Sequence, residues 1–225
     1  MGFMKKIFIV LTLLLLLIPC LGASHNIPSN KYAVVFGFGG GQGRVPKAYD
    51  CGGDWDAKVM NSILKDAGFT TKNIYFKTNN KVTMAEWFNA FDWLLSVEDE
   101  NSTVVIFYSG HGGPNVLGST DFGMPEDTLA SVLSGLDSKK QAVLIRQCGA
   151  DSLIDALEAP DRIIITTEGT GYRRGSIWGH YFLKEALKEG KGDINGDGKI
   201  SLEEAYWHFR WECTMSDNYE GEFLL

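Results

Sequence analysis

"TVVIFYSGHGG", residues 103–113, decides the fold. Thr103 to Ser109 is an almost unbroken run of apolar and aromatic residues, and it stops abruptly at Gly110, His111 and Gly112. Continuous apolar character, rather than polar/apolar alternation, marks a strand covered on both faces. A histidine needed only for packing would not require backbone freedom on both sides, so His111 is read as a residue presented at the end of a buried strand.

The same pattern recurs along the chain in both directions. Lys31 to Phe38, Asn73 to Lys77, Gln141 to Gln147 and Arg162 to Thr167 read as further strands. Between them fall amphipathic helices over Asp54 to Ala67, Met84 to Val97, Pro125 to Ser134, Asp151 to Leu157 and Ile177 to Glu189. Strands taking turns with helices define an α/β three-layer sandwich around a mostly parallel sheet. The 225 residues, 44% of them hydrophobic, suffice for one ordinary core and contain no disordered tract, so one domain over 24–225 is expected.

Residues 1–23 are set apart from that domain. Lys5 and Lys6 precede an uncharged apolar run from Ile7 to Ile18, followed by Pro19, Gly22 and Ala23, the layout of a secretory signal peptide. The run is short for a span of about 20 residues, so no stable membrane span is expected. Acylation at Cys20 is disfavoured by Pro19, which leaves a secreted product as the expectation. Loss of Lys5 and Lys6 would leave 19 basic against 28 acidic residues, a net charge of −9. That balance argues against nucleic acid as a partner. Cys51, Cys148 and Cys213 would remain, an odd number in an exported chain, so at least one thiol stays free or pairs between chains. All three can be small buried hydrophobes; alternatively Cys51 pairs with Cys213 and Cys148 stays reactive.

In parallel α/β sheets, ligands bind beyond the carboxyl ends of the strands. His111 follows the third strand and Cys148 ends the fourth, so both belong to one rim. Thiolate is the nucleophilic form of cysteine, and a nearby imidazole can move its proton. The amide of Gly112 is then free to donate to a developing oxyanion.

A second motif is "DINGDGKISLEE", 193–204. Asp193, Asn195 and Asp197 occupy positions one, three and five of an EF-hand loop, Gly198 the turn at six, the Lys199 carbonyl seven, Ser201 nine and Glu204 twelve. Hard oxygen ligands at this spacing suit Ca²⁺, with a structural or regulatory role, and no organic cofactor is expected. A polar Asx/Gly turn is the plainer reading of the same residues.

Other features carry less. "GFGGGQG", 37–43, lacks both the GxGxxG and P-loop registers and is read as a loop over the site. His25, His180 and His208 have no neighbours at ligand spacing. Trp87, Trp93, Trp178, Trp207 and Trp211 fall at helix-face spacing and read as core. HExxH and GxSxG are absent, against zinc peptidase and serine hydrolase chemistry.

"FYSGHGG" after one strand and "VLIRQC" closing the next resemble the histidine and cysteine blocks of the caspase/legumain (haemoglobinase-fold) cysteine peptidases. "GGDWDAKVMNSILKDAGF" is similar to that group's first-helix block, and "IIITTEGTGYRRGSIWGHYFLKEAL" to its pocket wall and following helix. The likeness runs from about Lys31 onward and is nearest to small secreted legumain-like members of microbes. It implies a secreted endopeptidase with Cys148 as nucleophile, His111 as proton shuttle, the Gly112 and Cys148 amides as oxyanion donors, and a peptide or protein substrate. Cys148-Gly149-Ala150-Asp151 departs from the family's Ser-Gly turn, and Asp151 is expected to cap the following helix. Arg146, two residues before the cysteine, stands where the family lines its pocket. With Glu168 in the pocket-wall segment it would bind substrate, favouring Asp, Glu or Asn before the cut bond. Alternatively Arg146 pairs internally, with Asp121 or Glu168. A catalytically silent calcium-binding module, or a transpeptidase, would be built from the same residues.

Overall fold

The computed structural model describes residues 30–40, 51–167 and 177–215. The signal segment, Cys20, His25, residues 41–43 of the 37–43 loop and residues 168–176, Glu168 among them, lie outside them.

Five parallel strands form the central sheet: β1 (Lys31–Gly37), β2 (Ile74–Thr78), β3 (Thr103–Ser109), β6 (Gln141–Arg146) and β7 (Arg162–Thr167), in the order β2-β1-β3-β6-β7. A short antiparallel pair, β4 (Val116–Leu117) with β5 (Met124–Pro125), is added between β3 and β6. β3 holds the middle, with Val105 opposite Ala33 of β1 at one edge and Ala142 of β6 at the other. Its residues from Val104 to Ser109 are all buried, as the unbroken apolar run requires.

Strand alternation sorts the core into two layers. Val34, Phe36, Val104, Ile106, Tyr108, Val143 and Ile145 face α2 (Met84–Val97), α3 (Glu126–Ser134) and α4 (Ile154–Leu157). Ala33, Val35, Val105, Phe107, Ala142 and Leu144 face α1 (Gly53–Asp66), α5 (Gly179–Lys188) and α6 (Leu202–Met215). This is the three-layer α/β sandwich expected, with helices on both faces of a parallel sheet.

Local chemistry sets the helix ends. α1 carries Asp54 and Asp56 in its first turn and Lys65 in its last, charges that complement the helix dipole. α2 is capped by Thr83, whose hydroxyl accepts the Glu86 amide at 3.2 Å. α5 is a wide π-type helix, and the Glu189 amide beyond it reaches back five residues to the Lys184 carbonyl at 2.8 Å.

Three expectations are corrected. Trp87 and Trp178 are fully buried, but Trp207 and Trp211 are 51% and 63% exposed, because α6 has only one face against the sheet layer. Asp151 caps nothing: it is the second residue of a 3₁₀ turn over Ala150–Leu153 whose N-cap is Gly149, with no capping side chain. Cys51 and Cys213 are not joined in a disulfide. Cys213 is buried among Ala205, Tyr206 and Phe209 on the α6 layer, whereas Cys51 is tied to the end of β1.

Candidate active site

β3 and β6 are neighbours in register, Ser109 opposite Arg146, so the residues that follow them emerge together. His111 leaves the end of β3 and the exposed Cys148 the end of β6. Both expected residues therefore stand on the carboxyl rim, as strand order requires.

The backbone around His111 is fixed from below. The Tyr108 hydroxyl donates to the His111 carbonyl at 2.6 Å, and the Phe38 ring meets the imidazole edge-on at 5.8 Å. Burial pushes the Tyr108 phenol far up, so it stays a donor. Gln147 staples the next loop: its amide nitrogen donates to the carbonyls of Val116 at 2.6 Å and Gly113 at 3.2 Å, and its oxygen accepts the Gly118 amide at 2.9 Å. A Cβ on Gly112 would run into the Gln147 amide, and one on Gly110 would lie 2.6 Å from the Tyr108 hydroxyl. The glycines beside His111 are thus demanded by close packing underneath it. Gln147 and Tyr108 were missed by sequence reasoning, and only their place beside the two motifs could have pointed to them.

On the cysteine side, Gly149 turns left-handed at φ 67° and packs against Pro114, where a Cβ would stand 2.7 Å from the ring nitrogen. Ser152 accepts the Asn115 amide at 2.7 Å and donates to the Gly149 carbonyl at 2.7 Å. The histidine loop and the cysteine turn are thereby tied to each other. Among the described residues, neither the Gly112 nor the Cys148 amide is taken up by a backbone or side-chain acceptor.

Arg146 is 5% exposed and faces α1. Its Nε lies 2.9 Å from Asp56 Oδ2 and 2.7 Å from Ser109 Oγ, and that hydroxyl donates to Asp56 at 2.6 Å. Its Nη2 donates to the Cys51 carbonyl at 2.7 Å. The guanidinium is paired internally, with Asp56 rather than Asp121; Glu168 lies outside the described residues. Asp121 instead accepts the Met84 amide and the Ser119 hydroxyl. Burial outweighs the Arg146 charge at Asp56 and raises its carboxyl to about 6.

Cys51 is the residue that the sequence did not bring to this edge. Its amide donates to the Gly39 carbonyl at 2.7 Å and its thiol to the Phe38 carbonyl at 3.4 Å; burial raises the thiol, but the nearby His111 and Arg146 hold it below its ordinary value.

The 193–204 loop folds on itself through carboxylate-to-amide bonds. Asp193 accepts the amides of Gly196, Asp197 and Gly198 at 2.8, 3.1 and 2.9 Å. Asn195 Oδ1 accepts the Asp197 amide at 2.8 Å, and Asp197 accepts that of Lys199 at 2.8 Å. Glu204 accepts the Ser201 amide at 2.9 Å while Ser201 Oγ accepts that of Glu204 at 3.1 Å, a reciprocal capping box at the start of α6. The donor set has the chemistry of a calcium loop. Even so, among the described residues no three acid, histidine or cysteine side chains converge as a metal cage.

A cavity of about 1120 Å³, lined by Ile63, Phe69, Ile163, Leu187 and Ile200, opens at the amino ends of the strands, the opposite end from His111 and Cys148. The reactive edge is chosen by chemistry and topology, not by volume.

With the sheet, the two-layer core and this rim in view, the class is that of a cysteine-peptidase-type α/β fold. The chain belongs to the caspase-domain family, whose model, described as "Caspase domain", matches residues 33–198. Comparison with curated proteins gives no match. Among solved structures it is similar to a protein from Geobacter sulfurreducens at 20% identity and a TM-score of 0.43, over 53% of this chain and 50% of that one.

Proposed function

We propose that the protein is an exported cysteine endopeptidase, of the small legumain-like kind, that cuts peptide bonds through a thioester on Cys148. What supports this is the arrival of His111 and Cys148 side by side from adjacent strands of a caspase-domain fold. The Cys148 sulfur would attack the peptide carbonyl, His111 would carry the thiol proton to the leaving amine, and the unengaged Gly112 and Cys148 amides would receive the oxyanion. Water then releases the acyl group.

The residue before the cut is proposed to be Asn or an acid. Because Arg146 is already matched by Asp56, the pocket floor offers hydrogen bonds with little net charge, which favours Asn over Asp and Glu. Glu168 remains the proposed second contact.

Profiling of a peptide library with wild type and Cys148→Ala tests both points. Cleavage that disappears with Cys148→Ala, and falls in the order Asn, Asp, Arg, is expected; cleavage surviving that substitution removes the mechanism, and strong preference for Arg removes the specificity.

Calcium binding is proposed at Asp193, Asn195, Asp197, the Lys199 carbonyl, Ser201 and Glu204. The number and hardness of the oxygen donors support it, and Glu204 would exchange its capping bonds for the ion. A rise in melting temperature with Ca²⁺ that Glu204→Gln abolishes is expected.

A further inference from the structure

Tyr108 is the fully buried next-to-last residue of β3, on the face that packs against α2. Its ring meets Trp87 edge-on at 5.8 Å, and its hydroxyl passes beneath the histidine loop to the His111 carbonyl at 2.6 Å. Glycines wall that hydroxyl in. A Cβ on Gly110 would stand 2.6 Å from it, and one on Gly118 would run into both the hydroxyl and the His111 carbonyl. Gly118 is itself pinned: its carbonyl accepts the Trp87 indole N–H at 3.0 Å, and its amide donates to Gln147 at 2.9 Å. No larger side chain at 110 or 118 would leave room for the bond between Tyr108 and the carbonyl it holds.

The consequence lies on the other side of that peptide. The His111 carbonyl and the Gly112 amide belong to one planar unit, and no cis peptide bond occurs among the described residues. In a trans peptide the C=O and N–H point in opposite directions. A hydroxyl holding the carbonyl from beneath therefore turns the Gly112 N–H away from the core, where no protein group among the described residues takes it up. Gly112 also lies against the Gln147 amide, with no room for a Cβ, which hinders the peptide from rolling over. The imidazole is held separately, by the edge-on Phe38 ring.

We propose that Tyr108 is a positioning residue whose hydroxyl aims the Gly112 amide at the oxyanion. It touches neither the substrate nor Cys148 and acts through one peptide plane; the role rests on the peptidase reading above. An oxyanion forms both when the thioester is made and when water breaks it. A donor aimed wrongly slows both steps and leaves the binding of substrate untouched.

The test compares the full chain as wild type and as Tyr108→Phe, which keeps the ring and removes only the hydroxyl. In peptide cleavage that depends on Cys148, kcat should fall about tenfold or more while KM stays within about twofold. Alkylation of Cys148 by iodoacetamide displaces iodide and builds no oxyanion, so its rate should change by less than about twofold. A purely structural role would lower the melting temperature and leave kcat of the folded enzyme as it was. A second arm needs no substitution and decides alone where Tyr108→Phe fails to fold. Wild type labelled with ¹⁵N is followed by NMR as a peptide aldehyde ending in Asp is added. The Cys148 sulfur adds to the aldehyde carbon and leaves a tetrahedral oxygen where the oxyanion would stand. The Gly112 amide proton should move downfield, and that of Gly118, already bonded to Gln147, far less. Unchanged kcat in Tyr108→Phe, alkylation falling in parallel with kcat, or an aldehyde adduct on Cys148 that leaves the Gly112 amide unmoved overturns the proposal while the peptidase reading stands. Wild type that neither cleaves peptides nor forms the adduct removes that reading and this role with it.

Discussion

Asp56 and Arg146 are two opposite charges held out of water beneath the reactive edge, and each is costly without the other. Asp56→Ala strands a buried guanidinium and should cost about 3–5 kcal/mol in urea unfolding at pH 7. The acid limb has a defined sign. The folded carboxyl titrates at about 6, above its ordinary 3.8, so between those values the native state binds more protons than the unfolded chain. This group's contribution therefore favours folding at the low end of that window and is lost as pH rises through about 6, a slope that Asp56→Asn should flatten. Neither this pair nor the approach of Cys51 to His111 was legible in the sequence. The sequence pattern placed Arg146 on the correct rim, but Asp56 lies 90 positions earlier on another element, and no periodicity links them. Gly110 and Gly112 were legible as constrained positions; the constraint, the Tyr108 hydroxyl and the Gln147 amide beneath them, was not.

Strands and helices were read most reliably where apolar runs are continuous. β3 and α2 have the limits expected from the sequence, since Thr83 caps one and the Gly110 break ends the other. The β4/β5 pair is two residues long on each side and has no periodicity to detect. Asp151 was misplaced because left-handed Gly149 already starts the turn. At α6, Ser201 and Glu204 satisfy one another's amides, which offers the 193–204 segment a purely local role. Ser201→Ala should lower stability by about 1 kcal/mol in chelator, seen as a drop in melting temperature. Loss of that size with no calcium response in wild type would assign the motif to helix capping alone.

Both core layers share one sheet, so the molecule should lose them together. Leu94→Ala, on the α2 layer, should cost about 2–5 kcal/mol, and Phe182→Ala, on the α5 layer, about 3–5 kcal/mol. Near-ultraviolet and far-ultraviolet dichroism should report one midpoint for each variant; separated midpoints would show that the layers unfold independently. The same sheet fixes the geometry of the rim, because the adjacent strands β3 and β6 deliver His111 and Cys148, while Cys51, just before α1, is bonded to Phe38 and Gly39 beyond the end of β1. The most direct measurement is covalent labelling by a peptidyl acyloxymethyl ketone, with the adduct located by mass spectrometry in wild type and His111→Ala. A single adduct on Cys148, formed at least tenfold more slowly without His111, is the expected result. An adduct on Cys51 instead, or labelling of Cys148 indifferent to His111, would contradict the assignment of the two residues as a catalytic pair.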